Sequence, residues 1–317
     1  MLLVELPRMQ LLFAGFISIL FCARVVAQNE ITMEPADVIN SAEQLLRENV
    51  DTNALEALDV DTERAQNFLD ELKKRFEGTY VYDLGALRET ATQLLPVLQQ
   101  YEETEPYAIW LKTHLDYFEV AEKLRKEASH GVTNTAPQLV APSAKTERKA
   151  WIEVVEERPM PPLAFKQVAQ LKKIFVAEKI PPELVWLAEV ESSFDPKARS
   201  PVGAAGLFQL MPVMARSLDL SVGMFRDERL HPEKNARAAA HYLRQLYGRF
   251  GDWHLALAAY NAGESRVANL LAKSQVKTFD AIANRLPSET QMFVPKVEAI
   301  VRKREGRALA DLKMPKR

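Results

Sequence analysis

Glu191 is the residue around which chemistry could be built. Leu184, Leu187, Ala188 and Glu191 fall at i, i+3, i+4 and i+7, which puts a carboxyl on one apolar stripe of a helix. A carboxyl so placed is desolvated, its neutral form is favoured, and it can donate a proton near neutral pH. Glu189 points about 200° away around the same helix and reads as a surface charge. The plainer alternative for Glu191 is a helix-end carboxyl that reaches solvent beyond Phe194. A second polar pair, Tyr260 and Asn261 beside Gly263, could grip an amide or a sugar. It could equally be a packed tyrosine and a helix-capping asparagine.

Other chemistries fit poorly. His114, His130, His231, His241 and His254 show no HExxH spacing, so neither a metal site nor any cofactor is called for. Cys22 is the only cysteine and lies in a segment expected to be removed, which leaves no disulfide and no thiol nucleophile. The run Gly203–Gly206 is too short for a dinucleotide loop and lacks a preceding strand. No second acid is evidently paired with Glu191; Asp195, the nearest that follows it, precedes Pro196 and reads as a helix stop.

Several elements must position these residues. Pro181 and Pro182 open the helix that carries Glu191, a start at which proline loses no needed hydrogen bond. Upstream, Phe165, Val168, Leu171 and Phe175 mark an amphipathic helix over 165–177. After Asp195-Pro196, residues 197–206 read as loop with a short β-hairpin, and a new helix begins near Pro212. Ala236, Ala239, Ala240, Leu243, Leu246, Tyr247 and Phe250 give a long central helix whose small residues admit a close neighbour. Asp252 can cap the helix that Gly263 ends. A short helix is expected over 264–273, and Ser288 with Gln291 reads as a capping box for the last helix, to about Arg304. The fold class expected is mainly α.

The 317 residues carry a net charge of only −2, which argues against nucleic acid as a partner. Residues 28–131 hold 22 acids against 10 bases, net −12, and residues 132–317 hold 20 against 29, net +9. The basic half suits an anionic polymer, or simply complements the acidic half. Residues 1–27 read as an export signal, with Arg8, an apolar core Leu11–Phe21 and a small-residue cleavage site at Val25-Val26-Ala27. The rival is a retained anchor, but the apolar run falls short of the ~20 residues a spanning helix needs. Residues 28–131 read as an acidic helical region, a scaffold or a docking segment. Tyr107, Trp110, Leu111, Leu115 and Phe118 share one of its helix faces. Residues 132–162 read as a Pro/Ala-rich linker, residues 163–306 as the chemical domain, and residues 307–317 as a basic tail.

Three blocks carry a resemblance. They are Glu191-Ser192-Ser193-Phe194 leading through Ala198, Ser200, Gly203, Ala204, Gly206, Leu207 and Gln209 to Met211-Pro212; Ala259-Tyr260-Asn261-Ala262-Gly263; and Ser288-Glu289-Thr290 continuing to Val294-Pro295. Together they resemble lytic transglycosylases of the soluble-lytic-transglycosylase group, which share their fold with goose-type lysozyme; the arrangement most resembles the membrane-bound D type. The resemblance spans about residues 165–305. It implies a lysozyme-like helical domain with a groove for peptidoglycan glycan strands; with it, the export signal points to the periplasm or cell envelope, and residues 28–131 to docking on cell-wall assembly or remodelling proteins. It implies cleavage of the β-1,4 bond between N-acetylmuramic acid and N-acetylglucosamine, with the muramyl C6 hydroxyl closing onto C1 as a 1,6-anhydro product. One glutamic acid, here Glu191, first protonates the leaving oxygen and then takes the C6 hydroxyl proton. The mechanism needs no second carboxylate, unlike two-acid glycosidases.

By the same resemblance Ser200 and Gln209 hold the sugar near the cleaved bond, Met211 lines the groove, and Tyr260 and Asn261 contact substrate or orient Glu191. Gly203 and Gly206 let backbone approach the glycan. Two features depart from the pattern. Phe293 stands where relatives commonly carry tyrosine, so a hydroxyl facing the catalytic acid is lost. Nor do LysM repeats follow the domain in this sequence, so wall anchoring is expected from the N-terminal segment, a partner or the groove. The rivals are a muramidase-type hydrolase on the same fold and an inactive peptidoglycan-binding scaffold.

Overall fold

The computed structural model describes residues 74–76, 78–99, 105–129, 142–200, 203–223 and 226–314. The expected export signal, residues 1–27, lies outside them. The described residues are mainly helical, as the periodicities predict. In chain order the helices are α1 Arg88–Leu98, α2 Glu105–Ser129, α3 Ala144–Glu156, α4 Ala164–Ala177, α5 Leu187–Ser192, α6 Pro212–Ser217, α7 Pro232–Phe250, α8 Trp253–Ala262, α9 Glu264–Ala272, α10 Phe279–Ile282 and α11 Ser288–Glu305. The expected hairpin is reduced to isolated bridges, Arg199 with Ala205 and Ala205 with Leu210. Among the described residues no helix is long and apolar enough to cross a membrane.

The small-residue stripe of α7 is buried as expected, and α8 and α4 pack against it. Asp252 accepts a 2.9 Å bond from the Leu255 N–H and starts α8. Helix α11 runs through the middle of the fold, touching α3, α8 and α5. Its face Met292, Phe293, Val294, Val297, Ile300 and Val301 is buried.

Several boundaries differ from the sequence expectation. The described N-terminal helices are not a separate region, because Phe76, Leu84, Tyr107, Leu111 and Phe118 join one hydrophobic core with α4, α7 and α11. Residues 144–156, expected to be linker, form α3. Ser143 caps this helix, and its Trp151 is fully buried. The cap and one apolar face outweigh the surrounding Pro/Ser composition. The expected basic tail is anchored too: Leu309 and Leu312 are buried, and the Trp253 indole N–H donates to the Leu312 carbonyl at 3.1 Å.

The capping box at α11 is absent. The Ser288 hydroxyl instead donates to the Arg75 carbonyl at 2.7 Å, and the Gln291 amide donates to the Thr79 and Leu286 carbonyls. Both side chains are spent on tying the N-terminal segment to α11. On α4, Leu171, Ile174 and Phe175 are buried, but Phe165 is 74% exposed, since the first turn overhangs the packed face.

Candidate active site

Glu191 reaches the site through a change of helix type. Pro182–Trp186 is a 3-10 turn that passes into α5. Leu184, Leu187 and Ala188 point into the core, and Glu191, next on the same stripe, is half-buried at a cavity. The helix stops because Ser193 and Phe194 adopt left-handed backbone, φ 52° and 64°. That conformation is costly for residues other than glycine. It is held by the fully buried Phe194 ring, edge-on to Trp186 at 5.6 Å, and by a 2.9 Å bond from the Gln167 amide to the Phe194 carbonyl.

Glu189 is not the surface charge its phase suggested. It is 2% exposed and takes bonds of 2.8 and 3.0 Å from the Arg304 guanidinium. The far side of α5 faces α11 rather than solvent. The two acids differ by partner: Glu189 is neutralised, whereas Glu191 forms no ion pair or hydrogen bond with a described residue. The Glu191 carboxyl is pushed up to about 8, first by burial and then by the charge of Glu289, with Lys296 opposing. Such a group stays protonated at neutral pH.

The loop after α5 is held by side chains that take its carbonyls one after another. The Arg229 guanidinium donates to Gly203 at 2.6 Å and Leu210 at 2.9 Å, while Asp227 holds it by two further bonds. The fully buried Asn235 amide donates to Ala205 and accepts from the Phe208 N–H. The Ser192 hydroxyl donates to Leu207 at 2.8 Å, and the Tyr260 hydroxyl donates to Phe208 at 2.6 Å. Buried backbone groups rarely go unpaired, and these bonds set the loop in one shape beside Glu191. Arg229 and Asn235 escaped the sequence reading. The available signal was Asn235 itself, a polar residue in helical phase with Ala239 and Leu243 of the buried stripe.

The cavity, about 180 Å³, is lined by Glu191, Ser200, Gln209, Met211, Tyr260, Asn261 and Phe293 among others. These seven predicted positions thus come together from α5, the loop, the start of α6, the end of α8 and α11. Gln209 has φ 45°, and its amide donates to the Gly206 and Ala198 carbonyls at 2.8 and 3.2 Å. The Ser200 hydroxyl accepts from the Ala204 N–H at 3.0 Å. Phe293 is 2% exposed and makes that wall apolar. Burial, and then the charge of Glu191, raise the Tyr260 hydroxyl well above its ordinary value.

Gly203 and Gly206 do not line the cavity. A Cβ on Gly206 would sit 2.0 Å from the Arg229 carbonyl oxygen, so this glycine admits protein backbone, not a ligand. A Cβ on Gly203 would meet only Pro212 Cγ, in ordinary contact at 3.9 Å, so this glycine is fixed by its φ of 84°.

A second acid is present that the sequence did not reveal. Glu289, at the start of α11, lines the same cavity. The Asn261 amide donates to it at 3.3 Å, and His114 Nε2 lies 3.6 Å from it. The Thr290 hydroxyl donates to Asn261 Oδ1 at 2.6 Å. Asp195, the acid weighed from sequence, accepts from the Lys197 N–H at 2.9 Å and does not line the cavity. Glu289 is 98 residues beyond Glu191 in the chain, and only the packing of α11 brings the two to one space.

The chain is similar to known transglycosylases over part of its length. Residues 173–283 match the family described as "Transglycosylase SLT domain". The membrane-bound lytic murein transglycosylase D of Escherichia coli K12 is 37% identical over 142 residues, covering 44% of this chain and 30% of that protein. The soluble lytic murein transglycosylase of the same strain is 36% identical over 163 residues, 48% of this chain and 24% of that one. The chain therefore spans less than a third of the length of these relatives. A crystal structure of the 70 kDa soluble lytic transglycosylase of Escherichia coli aligns with a TM-score of 0.41 at 19% identity, over 88% of this chain and 63% of that chain. The matched residues 173–283 contain Glu191, the loop to Met211 and Tyr260-Asn261, whereas α2 and the start of α11 lie outside them.

Proposed function

We propose that the protein is an exported peptidoglycan lytic transglycosylase with a lysozyme-like groove, and that Glu191 is its general acid and base. One observation carries this reading: a carboxyl with no ion-pair partner among the described residues, kept protonated by burial, stands in the cavity that gathers Ser200, Gln209, Met211, Tyr260 and Asn261. The protonated acid gives its proton to the oxygen of the β-1,4 bond between N-acetylmuramic acid and N-acetylglucosamine as that bond breaks. The resulting carboxylate takes the proton of the muramyl C6 hydroxyl as its oxygen bonds to C1. The acid is regenerated, and no water is consumed. Ser200, Gln209 and Met211 hold the sugar from the loop side, and Tyr260 and Asn261 from the α8 side. Their lining of the cavity supports these roles.

Glu289 gives a second reading a specific footing. Two acids facing one cavity could work as a muramidase, with Glu289 activating water. The bond from Asn261 and the nearness of His114 favour instead a fixed charge that holds Glu191 protonated. Digestion of purified sacculi followed by mass spectrometry separates the two. Products one water lighter, without a reducing end, are expected; reducing-end muropeptides would select the hydrolase. Release of neither product would leave a scaffold that binds peptidoglycan without cleaving it.

A further inference from the structure

The cavity has a wall that comes from neither the SLT segment nor the loop. Helix α2 lends it Ile109, Trp110, Thr113, His114 and Tyr117, spaced i, i+1, i+4, i+5 and i+8, one face of a helix. All five lie outside the matched residues 173–283. The wall is held firmly. Lys296 of α11, nearly fully buried, donates to the Thr113 carbonyl at 2.7 Å and to Asp116 at 3.0 Å, and Arg158 pairs with Asp116 from the other side.

Trp110 stands out on this wall. The His114 ring stacks on its indole at 4.4 Å and 26°, and the fully buried Phe76 backs it at 5.6 Å. The indole N–H forms no hydrogen bond with a described residue. The other three tryptophans, Trp151, Trp186 and Trp253, are 0%, 3% and 2% exposed, whereas Trp110 keeps part of its surface open to the cavity. An indole held in place by packing, with an N–H donor left for a ligand, suits a sugar ring. It offers apolar surface to the C–H groups and a bond to a hydroxyl or acetamido oxygen at small entropic cost.

We infer that α2 supplies a glycan subsite in which Trp110, braced by His114 and Phe76, contacts one N-acetylated pyranose of the strand. The N-terminal segment is then part of the binding groove and not only a docking arm. This rests on the glycan-cleaving function proposed above.

The test uses the full chain carrying Glu191→Gln, so that bound strands are not turned over, titrated with purified uncross-linked glycan strands. Binding is followed by calorimetry and by tryptophan emission, to which Trp110 is the one ring exposed to the cavity. Saturation is expected to shift the emission, and Trp110→Phe in the same background to abolish the shift. In the catalytically intact chain, Trp110→Ala is expected to raise KM for soluble strands about fivefold to tenfold with kcat within twofold, the signature of lost uniform binding. Calorimetric binding with no change in emission overturns the subsite and leaves the catalytic proposal standing. Unchanged KM in a folded Trp110→Ala protein does the same. Should Trp110→Ala fail to fold, the emission of the Trp110-containing chain still decides. No binding and no cleavage by the unaltered chain would bring down both proposals.

Discussion

Arg304 holds the Glu189 carboxylate by two hydrogen bonds of 2.8 and 3.0 Å, and two residues along the same helix Glu191 has no such partner. Adjacent acids on one short helix are thus sorted into a neutralised structural charge and a protonated acid. The sorting is geometric, because a guanidinium reaches the carboxylate on the side of α5 that meets α11, whereas on the cavity side no described residue bonds to Glu191.

Replacing Glu191 by Gln should lower peptidoglycan-cleaving activity on the order of 10²–10⁴-fold, read by zymogram and by product masses. The same change should affect stability with a definite sign. The folded-state value of about 8 lies above the ordinary 4.5, so between those pH values the unfolded chain releases a proton the folded chain keeps. Unaltered protein therefore loses stability as pH rises through this window, by about 1.4 kcal/mol per unit. Glu191→Gln should be the more stable of the two at pH 8, with the gap closing by pH 4. A gap independent of pH in urea unfolding would show that burial does not hold this proton.

Glu289→Gln removes the charge that helps raise Glu191. With a single working acid, the alkaline limb of the pH–rate profile moves to lower pH, while the rate near pH 6 stays within about tenfold. Were Glu289 the base for water, the rate would instead fall on the order of 10²–10⁴-fold at every pH.

Phe293→Tyr places a hydroxyl at a cavity wall that is now apolar. A hydrogen bond donated to the ionised Glu191 favours the carboxylate, so the alkaline limb should move down and the rate at its optimum should change. An unaltered pH–rate profile removes this position from the catalytic account.

Arg304→Met leaves the Glu189 charge buried and alone, which should cost about 3–5 kcal/mol in denaturant unfolding. Adding Glu189→Leu should restore most of that loss, because the penalty belongs to the uncompensated charge. A loss below about 1 kcal/mol would mean that water reaches Glu189.

The sequence by itself determined the helical class, the stripe of α7, the caps of α8, and the choice of Glu191 over Glu189 as the acid on the cavity side. These follow from local periodicity and capping chemistry, which short-range spacing records. It also singled out Gln209, Met211, Tyr260 and Asn261, which the fold gathers at one cavity. What lay opposite each face was not written locally. Only the tertiary structure placed Arg304 against Glu189, Glu289 in the cavity with Glu191, and the Arg229 carbonyl against Gly206. It alone made α2 a wall of the cavity, fixed there by Lys296, 180 residues beyond Asp116. Helical phase says which way a side chain points; the partner that meets it, and hence its charge state, depends on packing between distant segments.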